Sequence, residues 1–337
     1  MNYRICQIDG DGIGPEVVPV AINSLKRLIP DLKIATADAG WGTFQDQGDS
    51  VPKTTLKTIR DCGAAIFGAV SSPSRKVDNY QSAILKIRQS LDLFANIRPV
   101  DSRFGNRSDR DFRFVVVREN SEGLYARIEQ SDGKSAFAKK VVTQKASQRI
   151  GKMALQIARR FGIHRITIAH KANVLPETDG LFLSTVRATV NEQKASGEKI
   201  IVDDQLVDSC ALKIVENPEA FGVIVTTNLY GDILSDVAAY WCGGLQLAPS
   251  VNLGAEIAVC EPVHGSAPDI AGRGIADPRA ALLSLALLCR LHWNQPSIAD
   301  EVECAVIESL SNDHEHSSTR EIASAITQAI DSIHHNV

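Results

Sequence analysis

The sequence predicts an α/β protein, and three features carry that expectation. Apolar, β-branched runs recur, as in Phe221-Gly222-Val223-Ile224-Val225 and Ala64-Ala65-Ile66-Phe67-Gly68-Ala69-Val70. Unbroken apolarity over such a length marks a strand buried on both faces, as in a parallel sheet. Helical spacing follows these runs, and a glycine-rich turn joins the first strand to the first helix. With 337 residues and 44% hydrophobic content, the chain is long enough for two ordinary domains or one large α/β domain.

The elements follow in order. Residues 3–9 alternate and enter Gly10-Asp11-Gly12-Ile13-Gly14-Pro15-Glu16. Pro15 suits a first helical position, and Val17, Val18, Ala21, Ile22 and Leu25 recur at helical spacing. A strand, a glycine turn and a helix start can hold an anion. The glycines are not spaced G-x-G-x-x-G, however, and Asp9 and Asp11 would repel a pyrophosphate. The turn is therefore expected beside a ligand, but not as a Rossmann fingerprint.

After the strand at 64–70 comes a polar loop, residues 71–76, and a helix expected over 80–91 with Ile84, Leu85, Ile87 and Arg88 crowded together. Arg98 stands in Asn96-Ile97-Arg98-Pro99, and Arg118 ends the apolar run Phe114-Val115-Val116-Val117. Singly, each arginine is an ordinary ion-pair partner. As a trio, Arg88, Arg98 and Arg118 can grip a di- or tricarboxylate through forked hydrogen bonds. Asp132-Gly133 centres a hairpin turn. Residues 146–161 form an amphipathic helix, residues 165–170 a strand, and Lys171-Ala172-Asn173 its C-terminal end. Ile200-Ile201-Val202 leads to Asp203, Asp204 and Asp208, the last at the start of a helix.

The run at 221–225 then opens into Thr226-Thr227-Asn228-Leu229-Tyr230-Gly231-Asp232-Ile233-Leu234-Ser235-Asp236. Asp232 and Asp236 share one helix face, where like charges repel unless something positive lies between them. A solvated acidic face is one reading. A hard divalent cation, Mg2+ or Mn2+, held at the C-terminal end of a parallel strand is the other. Further on, residues 262–269 are turn-rich, residues 280–291 form a buried helix, and residues 321–333 an amphipathic one. His314, His316, His334 and His335 read as solvated.

The net charge of −4 gives no electrostatic case for nucleic acid or an anionic membrane. No apolar run reaches the length of a bilayer span, and the N-terminus enters a strand directly, so a cytoplasmic location is expected. The seven cysteines are scattered without a C-x-x-C pair, which favours free thiols. Cys210, close to Asp208, reads as a small buried hydrophobe.

These motifs together resemble the β-decarboxylating dehydrogenases: the isocitrate, isopropylmalate, homoisocitrate and tartrate enzymes. The resemblance rests on residues 10–16, 96–99, 118–125, 170–176, 226–236 and 261–272, in family order over nearly the whole chain. It implies a two-domain, isopropylmalate dehydrogenase-like α/β fold that is not a Rossmann fold. The large domain is discontinuous, residues 1–98 with 253–337, and the small one, 99–252, carries the dimer interface and a clasp at the Asp132-Gly133 hairpin. The implied assembly is a homodimer with shared active sites, and pairing of dimers into tetramers stays open.

By the same resemblance, Asp232 and Asp236 with Asp208 of the partner subunit hold Mg2+ or Mn2+. Lys171, again the partner's, is the base towards the 2-hydroxyl, and Tyr125 returns a proton to C3. Asp208 counts with the catalytic residues. Arg88, Arg98 and Arg118 hold the malate carboxylates, and Asn173 touches both substrate and nicotinamide. Ile13, His264, Gly265, Ser266, Ala267, Asp269, Ile270 and Asp277 belong to the adenosine side. NADP-using isocitrate enzymes have Lys-Tyr where Asp269-Ile270 stands, so the implied cofactor is NAD. Ala276-Asp277-Pro278 departs from the Asn-Pro found in many relatives.

The substrate implied is a 3-substituted malate. The Ser-Pro-x-x-Lys-Val loop at residues 72–77 looks most like homoisocitrate dehydrogenases, with Ser72 and Arg75 or Lys76 available to a distal carboxylate. Ile84 and Leu85 form an apolar wall that also admits an isopropyl group, so 3-isopropylmalate and isocitrate stay as alternatives, with D-malate or tartrate as smaller rivals. A regulatory subunit lacking metal or base residues is the non-enzyme alternative. Against it, Tyr125, Lys171, Asp208, Asp232 and Asp236 are all present.

Overall fold

The computed structural model describes residues 3–75, 77–105, 107–311 and 317–335. Lys76, His314 and His316 lie outside them, as do the side chains of His334 and His335. In chain order the first elements are β1 (Arg4–Gly10), α1 (Gly14–Leu28), β2 (Lys33–Thr36), α2 (Trp41–Gln47), α3 (Lys53–Cys62), β3 (Ala64–Ala69) and α4 (Ala83–Ser90). Then follow β4 (Ala95–Asp101), β5 (Arg113–Glu119), β6 (Glu129–Ser131), β7 (Ala136–Ala138), α5 (Gln144–Arg160) and β8 (Arg165–His170). Next are α6 (Thr178–Gln193), β9 (Ile201–Leu206), α7 (Val207–Glu216), β10 (Val223–Thr226) and α8 (Asn228–Ala238). The last are β11 (Pro249–Leu253), β12 (Ala258–Pro262), α9 (Arg279–Leu291), α10 (Pro296–Ser311) and α11 (Thr319–His335).

The chain divides into two units, Met1–Leu93 with Gly243–Val337, and Phe94–Cys242. In the first, the strands run β2-β1-β3-β12-β11; all neighbours are parallel except β11 against β12. Residues Arg279 to Arg290 of α9 are all buried, so an almost wholly apolar helix fills the space between the strands, α1 and α10. In the second unit the order is β4-β5-β10-β8-β9, antiparallel only at β4–β5. Its core joins Phe114 and Val116 of β5 to Ile224 of β10 and to Cys210, Ile214 and Leu234 of the flanking helices.

Two local expectations change. The helix placed at 80–91 begins only at Ala83, because Ser82 is extended (ψ 132°) and Tyr80 is drawn away. The Tyr80 ring packs edge-on to Trp41 and Phe44, and its hydroxyl donates to the Ser71 carbonyl at 3.0 Å. Ile84 does not share an exposed wall with Leu85. It lies in the core cluster with Ile87, Val51 and Phe67, which leaves Leu85 only partly covered. The hairpin at Asp132-Gly133 forms as β6–β7, with the Asp132 carboxylate accepting from Lys134 N and Ser135 N.

Candidate active site

The second unit gathers charged groups at the C-terminal ends of its parallel strands. Arg118 is the next-to-last residue of β5 and is fully buried. Its Nε and Nη2 donate to Asn228 Oδ1, at 3.1 and 2.8 Å, and its Nη1 to Asp232 Oδ1 at 2.5 Å. Arg98 on β4 donates to Asn96 Oδ1 (2.7 Å) and Ser235 Oγ (2.8 Å). It reaches Asp232 and Asp236 only at 3.4 Å each. Tyr125 follows β5, and its hydroxyl donates to Asp232 Oδ2 at 2.6 Å. The Arg118 guanidinium lies 5.0 Å from the centre of the Tyr125 ring.

α8 starts just after β10 ends, so its second and third turns bring Asp232 and Asp236 to this point. Gly231 allows the approach: a Cβ there would sit 2.6 Å from Arg118 Cγ. Burial raises the Asp236 carboxyl above its ordinary value; Arg98 opposes this, and the like charge of Asp232 adds to it. Burial also pushes the Tyr125 hydroxyl up, reinforced by the Asp232 carboxylate that holds its proton. Among the described residues, no three His, Cys, Asp or Glu side chains of this one chain form a metal-holding group.

Lys171 and Asp208 lie elsewhere in the same unit. Lys171 Nζ meets Asp208 Oδ1 at 2.7 Å. That hydrogen bond lowers the Asp208 carboxyl, whose side chain is 63% exposed. Asn173 is exposed beside them. Cys210, two residues after Asp208, is buried, and burial pushes its thiol up to about 12, which makes it an inert core residue.

In the first unit the glycine turn after β1 meets the 264–277 segment. Ile13, itself buried, donates its N–H to Ser266 O at 2.9 Å, and Ser71 Oγ donates to Ser266 Oγ at 2.8 Å. Gly12 has φ +60°, and a Cβ there would lie 1.9 Å from the Ser266 carbonyl oxygen. Asp11 is not a free charge facing a ligand, as the sequence implied. Its carboxylate accepts from Trp41 N, Gly42 N and Ser71 N at 2.8–3.0 Å, so it is a turn-building residue. Glu16 similarly accepts from Gly272 N and Gly274 N. These tethers are missing from the sequence reading because they join positions 30 to about 260 residues apart.

His264 contacts Gly265 O through Nδ1 at 3.0 Å, and burial lowers its pKa. A neutral ring donating from Nδ1 leaves Nε2 as an acceptor, and that atom is buried with no protein partner among the described residues. Asp277 accepts from Arg279, whereas Gly265 and Asp269 are exposed and Ala267 and Ile270 half-buried. Arg88, at the end of α4, is paired with Glu261 at 2.6 Å, and Asn252 Nδ2 donates to the same carboxylate oxygen. Ser72 and Arg75 are exposed on the loop after β3.

Residues 4–333 match the family described as isocitrate/isopropylmalate dehydrogenase, so the class is that of enzymes that oxidatively decarboxylate 3-substituted malates. An isocitrate/homoisocitrate dehydrogenase of Thermus thermophilus is 50% identical over 306 residues, 91% of this chain and 90% of its own length. A 3-isopropylmalate/3-methylmalate dehydrogenase of Methanocaldococcus jannaschii is 43% identical, covering 92% and 91%. The crystal structure of isocitrate dehydrogenase from Methylococcus capsulatus superposes with a TM-score of 0.90 at 38% identity, over 97% of this chain and 99% of that one. The chain belongs to the isocitrate/isopropylmalate dehydrogenase family and is a decarboxylating hydroxy-acid dehydrogenase. NAD(P) and a divalent metal are used throughout that family. No helix among the described residues is long and apolar enough to cross a membrane.

Proposed function

We propose that the chain oxidises homoisocitrate to 2-oxoadipate with NAD and Mg2+ or Mn2+, in a homodimer whose two active sites each draw residues from both subunits. The polar loop at Ser72 and Arg75 carries the substrate assignment. Its charge suits a carboxylate-ended C3 group, and the 50% identical Thermus relative bears homoisocitrate in its name. Leu85, half-covered and apolar, favours 3-isopropylmalate as the second reading, and isocitrate is a third. An apolar wall separates such groups by only about 1–3 kcal/mol, so overlapping use of these acids is consistent with the site.

The donor set fits the cofactors. Asp232 and Asp236 bring two carboxylates to one helix face, an oxygen donor set of the kind a hard divalent cation takes. The exposed Asp208 of the partner subunit is the third oxygen ligand, and the exposed apolar side chains Leu212, Val215, Ile233 and Tyr240 on and beside α7 and α8 favour a covering second copy. The unpartnered His264 Nε2 suits a donor of an adenosine moiety, and the exposed Asp269 suits a ribose diol and repels a 2′-phosphate.

Held by these residues, a divalent cation would supply Lewis acidity towards the substrate's oxygens and a nicotinamide would supply a hydride acceptor. The protein does the rest. Arg98 and Arg118 offer guanidinium donors to the malate carboxylates, and Arg88 does so from α4. Lys171 of the partner subunit removes the hydroxyl proton, and the contact of its Nζ with Asp208 sets where the side chain lies. Tyr125, kept protonated by burial and Asp232, delivers its proton to C3 after CO2 leaves.

A steady-state comparison of homoisocitrate, 3-isopropylmalate, isocitrate and D-malate, each with NAD and with NADP, tests this reading. The highest kcat/KM is expected for homoisocitrate with NAD. A higher value for 3-isopropylmalate, or for NADP, overturns the respective assignment.

A further inference from the structure

We propose that Asp179 is a positioning residue for Lys171: its buried carboxylate holds the main chain of the base while Lys140 neutralises it. The inference rests on the assignment of Lys171 as the base. Asp179 lies in the first turn of α6 and has no exposed surface. An aspartate at that place ordinarily caps its own helix from the solvent side. Here it turns back eight residues instead. Its Oδ1 accepts from the Lys171 N–H at 2.8 Å, and its Oδ2 pairs with Lys140 Nζ. Thr178 Oγ1 also donates to Oδ2, at 3.2 Å.

Burying a charge is expensive unless its partners are good, so a fully buried carboxylate indicates a constraint that a solvated cap would not supply. The constraint falls on residues 171–175. Their turn is closed by Val174 N and Leu175 N donating to Lys171 O, and Asp179 N in turn donates to Leu175 O. With the amide of Lys171 tied to Asp179 Oδ1 as well, both main-chain ends of that residue are fixed, and only its side chain is left to move. The pairing reaches further. Lys140 is the second residue after the β6–β7 arm, and its ammonium lies 4.3 Å from the ring centre of Tyr230, two residues before Asp232. Burial, and then the charge of Asp179, raise the Tyr230 hydroxyl. One carboxylate thus links the base, the root of the arm and the helix that carries the aspartate pair.

The test compares two double variants in the full-length enzyme. Asp179→Asn with Lys140→Met removes both charges and keeps the oxygen that accepts the Lys171 N–H; Asp179→Ala with Lys140→Met removes the acceptor too. The first is expected to keep kcat within about threefold of the parent, and the second to lose at least about tenfold in kcat at little-changed KM. Hydrogen exchange at the Lys171 amide should be protected in the parent and the Asn variant and fast in the Ala variant. Equal kcat in the two variants, or a fast-exchanging Lys171 amide in the parent, overturns the inference; the second observation needs no variant to fold. Lys171→Met separates the two layers. If it still turns over, the assignment of the base fails. If it is dead while the Ala variant is unimpaired, only the role of Asp179 fails.

Discussion

Replacing Gly12 by alanine should weaken cofactor binding as well as the fold, and the size of both effects can be worked out atom by atom. Gly12 sits at φ +60°, and a Cβ would lie 1.9 Å from the Ser266 carbonyl oxygen. Ordinary contact begins near 3.4 Å, so that carbonyl must retreat by about 1.5 Å. The left-handed backbone adds about 1–2 kcal/mol of strain for a residue with a Cβ. Losing the Ile13 N–H bond to Ser266 O adds about 1 kcal/mol more. A global loss of about 2–3 kcal/mol follows, which a large α/β chain withstands. The displaced carbonyl belongs to the segment proposed to hold adenosine. Where about half of that free energy falls on the bound state, the Kd for NAD rises by about tenfold. Calorimetric titration with NAD measures it directly, alongside kcat at saturating NAD, which should change little. A Gly12→Ala enzyme with the parental NAD affinity and melting temperature would refute the claim that this turn and the 264–277 segment form one binding surface.

Three more outcomes follow from the same geometry. Asp101 is buried between Arg103 and Arg113; burial raises its carboxyl, but the hydrogen bonds and charges of the two arginines outweigh this and leave it below the ordinary range. Its stabilisation is therefore present above the unfolded carboxylate pKa of about 3.9 and disappears as pH falls through the depressed folded value. Asp101→Asn should cost about 2 kcal/mol at neutral pH and progressively less in acid, as read by urea melts across pH; a pH-independent deficit would contradict the ion-pair account. In the native enzyme a disulfide-exchange thiol reagent should label the exposed Cys304 first and half-buried Cys62 slowly, while Cys210 and Cys289, both pushed up to about 12 by burial, react only on unfolding. Mixing Lys171→Met subunits with Asp232→Asn subunits after mild dissociation should regenerate activity, because one hybrid site then holds only parental groups; no recovery would count against sites shared between subunits.

What the sequence made legible was whatever repeats along it. Strands β3 and β10 are apolar runs, β5 and β8 have apolar centres between polar ends, and α9 is almost wholly apolar, so period and composition alone place them. The Asp232–Asp236 pair was visible because a helix puts i and i+4 on one face. The start of α4 was not, because Tyr80 leaves the helical pattern to join Trp41 and Phe44, about 40 residues earlier in the chain. Ile84 was misplaced for the same reason: helical spacing shows that it is apolar, but the neighbours that bury it come from α3 and the strands.

The polar groups that hold the site in shape divide along the same line. Arg98 and Arg118 stand in strands β4 and β5 and Tyr125 soon after β5, where their sequence context advertises them. Asp11, Glu16 and Asp179 look like ordinary acidic residues in a turn or a first helical turn. Each instead gives its carboxylate to backbone N–H groups outside its own turn: Trp41 and Ser71, Gly272 and Gly274, and, eight residues back, Lys171. A carboxylate that accepts main-chain donors fixes a loop without prescribing its side chains, since every non-proline residue offers the same N–H. The loops so fixed are the segment after β3 and the 264–277 segment, the two proposed above to meet the C3 substituent and adenosine. A frame of acid-to-backbone tethers would therefore let Ser72, Arg75 and Asp269, the residues proposed to set specificity, change while the main chain beneath them stays in place.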